Sequence, residues 1–332
     1  MLDLAIVGAG PSGLSVGLAA QKKGLSYVIF DKGGVVEGLR RVPLHMTFSS
    51  TADRLELEGF PFLTHGPRPT RQEILNYYRT VAERAGLQLA LYRKVLAIHR
   101  EGEGFLLKVK GTLSGKEEEA RARGVVVATG YFDHPRFLGV PGEDLPKVSH
   151  YFTEGHPFFG LEVAVVGGQN SAAEAALELF RAGARVTLIH RGEGLSPKVK
   201  PWVRPDVESR IEKGDIRAYF GTRVKAIEPE RLLLVQEGKE FSIPNDYVFA
   251  LTGYWAEAPL LQDLGVPRDP LTGIPAHDPE TLATPIPGVY VAGVVAAGYD
   301  ANKIFIETSR YHGEKIVAHF VKERGGLAWT RI

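Results

Sequence analysis

A strand–glycine turn–helix pattern that occurs twice is the strongest constraint on the fold of this 332-residue chain. In the first copy, the apolar run 4–7 leads into a glycine-rich turn and then a helical segment that ends at Gly24. Glycines at this spacing permit a tight turn, the approach of a pyrophosphate and close helix–strand packing. The next strand, 26–30, ends in a carboxylate suited to a ribose diol. These features favour a dinucleotide site over a structural turn, and the predicted site residues are Gly8, Gly10, Pro11, Ser12, Gly13, Asp31 and Lys32.

The second copy begins at the apolar run 163–166 and repeats the plan of the first. A helix follows its turn, and the next strand, 185–189, ends in two basic residues. In each copy a group of short strands then leads to an apolar strand that ends in Thr-Gly-Tyr, at Thr129 and again at Thr252. Such a repeat is stronger evidence than a single motif. The predicted site residues of the second copy are Gly167, Gly168, Gln169, Asn170, Ser171, His190 and Arg191.

The two copies differ at the end of their second strands, and this difference predicts different ligands. Asp31 suits an unmodified ribose, whereas a cation such as Arg191 accommodates a 2′-phosphate. We therefore expect FAD in the first half and NADPH in the second. Gln169 replaces the middle glycine and could crowd the pyrophosphate. The alternative is that the second half has lost its nucleotide and serves only in packing.

Composition excludes several classes of site. The chain contains no cysteine, so it has no disulfide, no thiolate metal site and no cysteine nucleophile. A formal net charge of +1 argues against nucleic-acid binding, which requires a basic face. No apolar run of 18 residues is present, and no basic segment precedes an apolar stretch at the N-terminus. We therefore expect a cytoplasmic protein without a metal site, a membrane anchor or a nucleic-acid partner.

The pattern predicts an α/β fold with two dinucleotide-binding, Rossmann-like domains. A strand within the segment 287–294 and a helix over 302–321 follow the second domain, which indicates that the chain returns to complete the first. The predicted FAD domain is discontinuous and comprises residues 1–133 and 255–332. The predicted NADPH domain comprises residues 134–254.

At this level of detail the chain resembles two-domain FAD/NADPH reductases of the low-molecular-weight thioredoxin reductase type, and the resemblance implies three-layer ββα domains. It is more closely similar to the bacillithiol disulfide reductase (YpdA-type) family. The stretches that carry this similarity are 47–50, 133–135, 140–147, 150–152, 200–202 and 292–294. The resemblance implies NADPH-driven reduction of a low-molecular-weight thiol disulfide through FAD. It adds these expected cofactor residues: His45, Thr47, Val95, Ala128, Thr129, Gly130, Gly293 and Val294.

The sequence departs from these families at three places. Thioredoxin reductases carry a Cys-x-x-Cys pair between the two motifs, and this chain has none. They have Asp where this chain has Val294, and many YpdA-type members have Cys where it has Ser12. A thiol-based step at position 12 is therefore in doubt, and no catalytic side chain is assigned.

Several functions remain open on the sequence alone. A ferredoxin or flavodoxin NADP⁺ reductase of the same type also lacks the cysteine pair, although no strong basic docking surface is visible here. A flavin monooxygenase and a flavin-holding sensor without turnover are further alternatives. The expected partners are a small-molecule disulfide or a small electron-carrier protein, together with further copies of the chain in a homo-oligomer (a dimer or tetramer).

Overall fold

The computed structural model describes residues 1–325, which form two compact units. Unit 1 comprises residues 1–40, 46–134 and the chain from Tyr254 onward. Unit 2 comprises residues 41–45 and 135–253. The short segment 41–45 therefore lies in unit 2, whereas the sequence interpretation placed all of residues 1–133 in one domain.

The first part of unit 1 contains the first glycine turn, two long helices and an antiparallel meander. Pro11 occupies the first turn of the first long helix, and Thr70 begins the second with a capping box to Glu73. The elements are β1 (Leu2–Val7), α1 (Pro11–Lys22), β2 (Tyr27–Phe30), α2 (Glu37–Arg40), α3 (Ala52–Leu55), α4 (Arg71–Arg84), β3 (Leu89–Ala90), β4 (Arg93–Glu101), β5 (Gly104–Gly111) and β6 (Glu117–Val127).

Unit 2 repeats this plan with a five-stranded parallel sheet and a separate three-stranded antiparallel sheet. Its elements are β7 (Val148–Ser149), β8 (Glu162–Val166), α5 (Asn170–Arg181), β9 (Arg185–Ile189), α6 (Arg204–Glu212), β10 (Arg217–Tyr219), β11 (Thr222–Ile227), β12 (Arg231–Gln236), β13 (Lys239–Pro244) and β14 (Tyr247–Ala250). The parallel order is β10-β9-β8-β14-β7, and the antiparallel order is β11-β12-β13. The first residues of α5 therefore lie at the carboxyl edge of the parallel sheet, where ligands bind in folds of this kind.

The chain after unit 2 returns to the sheet of unit 1. The elements there are α7 (Pro259–Asp263), β15 (Val289–Val291), α8 (Ile306–Ser309) and α9 (His312–Gly325), with a 3₁₀ turn over Gly293–Ala297. Strand β15 pairs in parallel with β6, and Val291 lies beside Val127. The glycine that follows β15 is thereby brought to the carboxyl edge of this sheet.

Strand β6 joins two kinds of sheet. Its first half pairs antiparallel with β5, and its second half lies between β1 and β15 in parallel register. The third strand of the meander and the apolar segment that follows it are thus one eleven-residue strand. Leu4, Ile6 and Val126 are fully buried in this central region, so the parallel part of the sheet forms the core of unit 1.

The predicted continuous helix over 302–321 is wrong, because the chain breaks between α8 and α9. Ser15 of α1 accounts for the break. Its Oγ donates to the carbonyl of Arg310 at 2.6 Å and accepts from the amide of Gly313 at 3.2 Å. A hydroxyl from another helix thus replaces helical hydrogen bonds. Within residues 1–325, no helix is both long and apolar enough to cross a membrane.

Replacing Ser15 with Ala should lower the free energy of unfolding. The change removes both hydrogen bonds and leaves a part-buried carbonyl and a buried amide without these partners, which costs about 2 kcal/mol. Urea denaturation monitored by circular dichroism measures the effect. Thr80→Ala, at an exposed position on α4, is the control and should leave the midpoint nearly unchanged. Equal midpoints for both variants would show that Ser15 does not hold the break.

Candidate functional site

The glycine turn after β1 packs against the end of β6 without room for side chains. Gly8 has φ +114°, and a Cβ there would lie 2.3 Å from the carbonyl oxygen of Ala128. A Cβ on Gly13 would lie 1.8 Å from the carbonyl oxygen of Gly8. These two glycines are therefore required by contacts within the protein itself.

Gly10 has a different environment. It is the N-cap residue of α1, and apart from its chain neighbours no atom of residues 1–325 lies within 4 Å of the position that its Cβ would take. No side chain caps the helix, and its first turn contains no acidic residue. Free amides and the helix dipole at such an end attract an anion. The open space over Gly10 therefore fits a pyrophosphate.

Asp31 fixes the turn from the end of β2. One of its carboxylate oxygens accepts from the amide of Ala9 at 2.7 Å, and the other accepts from Gly33 at 2.9 Å. Burial raises the pKa of this carboxyl above its usual value, although the two amides act in the opposite direction. Each oxygen can accept a further hydrogen bond, so a ribose diol remains possible. The neighbouring Lys32 is engaged elsewhere, because its Nζ lies 2.6 Å from Asp133.

Thr129 carries a hydroxyl group for which the described residues provide no hydrogen-bond partner. Its Oγ1 is buried and has no hydrogen-bond partner among the described residues. It lies between Ala128, whose amide donates to Val7, and Gly130, which has φ +75°. Because buried polar atoms are rarely left unpaired, this hydroxyl fits a contact with a bound cofactor.

The segment after β15 packs against the start of α1. A Cβ on Gly293 would lie 2.6 Å from Ser12 Oγ, and Ser12 Oγ donates to Ser309 Oγ at 2.9 Å. The hydroxyl at position 12 is therefore used in packing α1 against α8. Val294 follows in the 3₁₀ turn and is half-buried.

Sequence reasoning missed His312, the first residue of α9. The amide of Gly293 donates to its Nδ1 at 3.1 Å. Burial, followed by the nearby positive charges of Lys315 and His277, lowers the pKa of His312 to about 4. The imidazole is therefore neutral at pH 7, with Nδ1 as an acceptor. Its partner lies 19 positions away in the sequence, so no local pattern could have identified it.

The remaining predicted residues of the first half lie in three different settings. Val95 is a buried residue of β4 that pairs with Val109. Thr47 forms an isolated bridge with Thr70 in unit 1. His45 belongs to unit 2, where its Nδ1 lies 3.9 Å from a carboxylate oxygen of Glu178. Their roles in cofactor binding stay predictions.

In unit 2, the second glycine turn packs beneath a histidine ring. A Cβ on Gly168 would lie 2.5 Å from atoms of the His190 imidazole, and one on Gly167 would lie 2.6 Å from the carbonyl oxygen of Leu251. Burial and then the charge of Arg191 lower the pKa of His190, which favours its neutral form.

The N-terminus of α5 is also free of capping side chains. Gln169 is its N-cap residue and makes no side-chain cap, and Ser171 is exposed in the first turn. Asn170 instead holds the neighbouring loop, since its side chain donates to the carbonyl of Lys198 at 3.1 Å and accepts from the amide of Lys200 at 2.8 Å. The helix end thus retains the free amides that a pyrophosphate requires.

A cleft of about 550 Å³ opens beside this helix end. The described residues that line it include two arginines and no acidic residue: Gln169, His190, Arg191, Gly192, Gly194, Leu195, Ser196, Pro197 and Arg223. Two other basic residues near the loop are engaged elsewhere: Lys200 pairs with Glu174, and Arg204 pairs with Glu208 and donates to two loop carbonyls. The cleft is therefore a cationic site that fits a phosphate.

Each unit has a glycine turn at an uncapped helix end. The turn in unit 1 lies beside a carboxylate, and the turn in unit 2 lies beside a cationic cleft. This arrangement is typical of proteins that bind two dinucleotides. The sequence pattern of the pyridine nucleotide-disulphide oxidoreductase family matches residues 5–293. The chain belongs to this family, and it is an FAD-dependent pyridine nucleotide oxidoreductase that uses FAD and NADPH.

Comparison with individual proteins identifies similar chains of almost the same length. Bacilliredoxin reductase Bdr of Bacillus subtilis (strain 168) is 41% identical over 319 residues, which is 96% of this chain and 97% of the relative. The structure of bacillithiol disulfide reductase Bdr (YpdA) from Bacillus cereus has a TM-score of 0.94 at 39% identity, covering 97% of this chain and 99% of that chain. These findings confirm the resemblance stated from the sequence.

A more distant comparison concerns the fold alone. Thioredoxin reductase of Lactococcus lactis has a TM-score of 0.76 at 21% identity, covering 98% of this chain and 100% of that chain. The predicted fold class of two Rossmann-like domains of the thioredoxin reductase type is therefore confirmed.

Gly10→Ala should abolish FAD binding without unfolding the protein. An added methyl group meets no atom of the described residues but occupies the space required for the pyrophosphate. The ratio of flavin absorbance to protein absorbance, together with the circular dichroism spectrum, separates the two effects. Gly13→Ala is the comparison and should destabilise the fold itself, because its Cβ meets the Gly8 carbonyl. Full flavin content in the Gly10→Ala protein would contradict the assignment.

His312 should make the protein less stable as the pH falls from about 6.5 to about 4. In this range the unfolded state takes up a proton that the folded state does not, which costs up to about 3 kcal/mol. His312→Asn keeps an acceptor for the Gly293 amide but cannot become protonated, so its stability should fall less. Urea midpoints across this range measure the difference. Parallel pH curves for the two proteins would rule out a contribution from His312.

Proposed function

We propose that this protein reduces bacillithiol disulfide, a low-molecular-weight thiol disulfide, with NADPH as the electron donor. The observation that carries the proposal is the similarity over almost the full chain to a bacillithiol disulfide reductase structure. The reaction converts NADPH, one proton and one disulfide into NADP⁺ and two thiols. When bound, FAD supplies the two-electron chemistry that links the nicotinamide to the disulfide.

The absence of cysteine limits the route to this product. Thiol–disulfide exchange requires a thiolate that attacks the substrate and forms a mixed disulfide. No residue of this chain can supply one. The protein's contribution is therefore to bind both cofactors and to orient the substrate, without covalent participation of a side chain.

We further propose that unit 1 binds FAD and unit 2 binds NADPH. In unit 1, the amides at the start of α1 would hold the pyrophosphate, Asp31 a ribose, and the unpaired Thr129 hydroxyl a further polar atom of FAD. In unit 2, the free end of α5 would hold the second pyrophosphate, and the cationic cleft the 2′-phosphate of NADPH. We also propose a cytoplasmic location, for which the composition of the chain is the support. A homodimeric or tetrameric assembly is proposed from the resemblance to known reductases.

The acceptor can be tested directly on the FAD-loaded enzyme under anaerobic conditions. The enzyme is reduced with NADPH, freed of excess nucleotide and mixed in separate experiments with bacillithiol disulfide, oxidised bacilliredoxin, ferredoxin or flavodoxin. We expect rapid flavin reoxidation with bacillithiol disulfide and the release of two thiols for each NADPH consumed. The control omits the acceptor, and the flavin should then stay reduced.

The other acceptors define the outcomes that would overturn the proposal. Reoxidation by bacilliredoxin alone would identify a protein disulfide as the substrate. Reoxidation by ferredoxin or flavodoxin without thiol release would identify a one-electron carrier reductase. Either result would leave the assignment of FAD and NADPH intact.

A further inference from the structure

We propose that Arg223 is a second specificity residue for NADPH, which binds the 2′-phosphate together with Arg191. Arg191 is the second residue after β9, where a cation for this phosphate is expected from sequence. Arg223 comes from the antiparallel sheet of unit 2, far from the glycine motif in the sequence. Both residues nevertheless line the same cleft.

Backbone hydrogen bonds fix the start of β11 beside the turn that carries Arg191. The amide of Gly221 donates to the carbonyl of Gly192 at 2.8 Å, and the amide of Thr222 donates to the carbonyl of His190 at 3.0 Å. Thr222 itself is 1% exposed, so this junction is firmly packed. The position of Arg223 relative to Arg191 is therefore set by neighbouring backbone and not by a flexible loop.

The charges of the cleft suit a dianionic phosphate. Arg191 and Arg223 are both exposed, and neither forms an ion pair with a residue in the described range 1–325. The lining contains no carboxylate that would compete with a ligand. A phosphate monoester carries a charge of about −1.5 to −2 at pH 7, so one guanidinium would leave it incompletely neutralised. Two arginines supply the charge and the paired N–H donors that phosphate oxygens accept.

Two other basic residues of the 195–204 segment cannot take this role without losing existing bonds, and a third, the exposed Lys198, does not line the cleft. Lys200 is held by Glu174 at 2.8 Å, and Arg204 donates at 2.8 Å to the carbonyls of Leu195 and Ser196. Arg223 has no such competing partner in the described part of the chain. It is therefore the second cation that a 2′-phosphate would meet in the cleft.

Nucleotide binding to the FAD-loaded, full-length enzyme tests this proposal without any electron acceptor. Isothermal titration calorimetry would give the dissociation constants of NADP⁺, NAD⁺, 2′,5′-ADP and 5′-AMP for the unmodified enzyme and for Arg223→Gln, Arg191→Gln and Arg217→Gln. Arg217 is exposed on β10 and does not line the cleft, so its variant is the matched control.

We expect Arg223→Gln to weaken NADP⁺ and 2′,5′-ADP binding by about tenfold or more, since one charge-assisted pair is lost. Binding of NAD⁺ and 5′-AMP should not change, and Arg217→Gln should match the unmodified enzyme. Arg223→Lys keeps the positive charge but not the paired donors, so it should recover part of the lost affinity.

Two results would overturn the proposal. One is an unchanged ratio of the NADP⁺ and NAD⁺ dissociation constants in Arg223→Gln. The other is an equal loss of affinity for both nucleotides, which would place Arg223 on a part of the ligand that they share. Because these measurements involve no turnover, their failure is distinguishable from a failure of the disulfide reductase proposal.

Discussion

Close backbone packing between the β1–α1 turn and the end of β6 is the constraint on which unit 1 depends. Gly8 approaches the carbonyl of Ala128, and Gly13 approaches the carbonyl of Gly8, at distances that admit no side chain. The same contact places the backbone nitrogen of Thr129 3.2 Å from the position that a Cβ on Gly8 would take. Strand β6 also carries β5 and β15, so the turn, the meander and the returning chain are all positioned by a single strand.

The parts of the fold that follow from local pattern could be predicted from sequence. Glycine spacing and apolar runs identified both βαβ units, because turn geometry and strand burial depend on neighbouring residues. The break before α9 could not be predicted in this way. It depends on a hydroxyl from Ser15, almost three hundred positions earlier, and only the tertiary structure brings this group to the helix.

The same distinction applies to the candidate site. Asp31 and Arg191 lie one and two residues after strands, so their positions at the carboxyl edges of the sheets were evident from sequence. His312 and Arg223 come from elements that follow no recognised motif, and their proximity to Gly293 and to the cleft is a property of the fold. In contrast, Lys32 matches the motif but is used in an ion pair with Asp133.

The discontinuity of unit 1 has a consequence for the order in which a ribosome delivers its parts. Most of unit 2, residues 135–253, is encoded between two segments of unit 1, and β15 and α9 are synthesised after it. The nascent chain can therefore complete the parallel sheet of unit 2 while the sheet of unit 1 still lacks its final strand. Gly293 and His312 can join the glycine turn only after unit 2 has been synthesised, so the predicted flavin site is assembled after the predicted nicotinamide site.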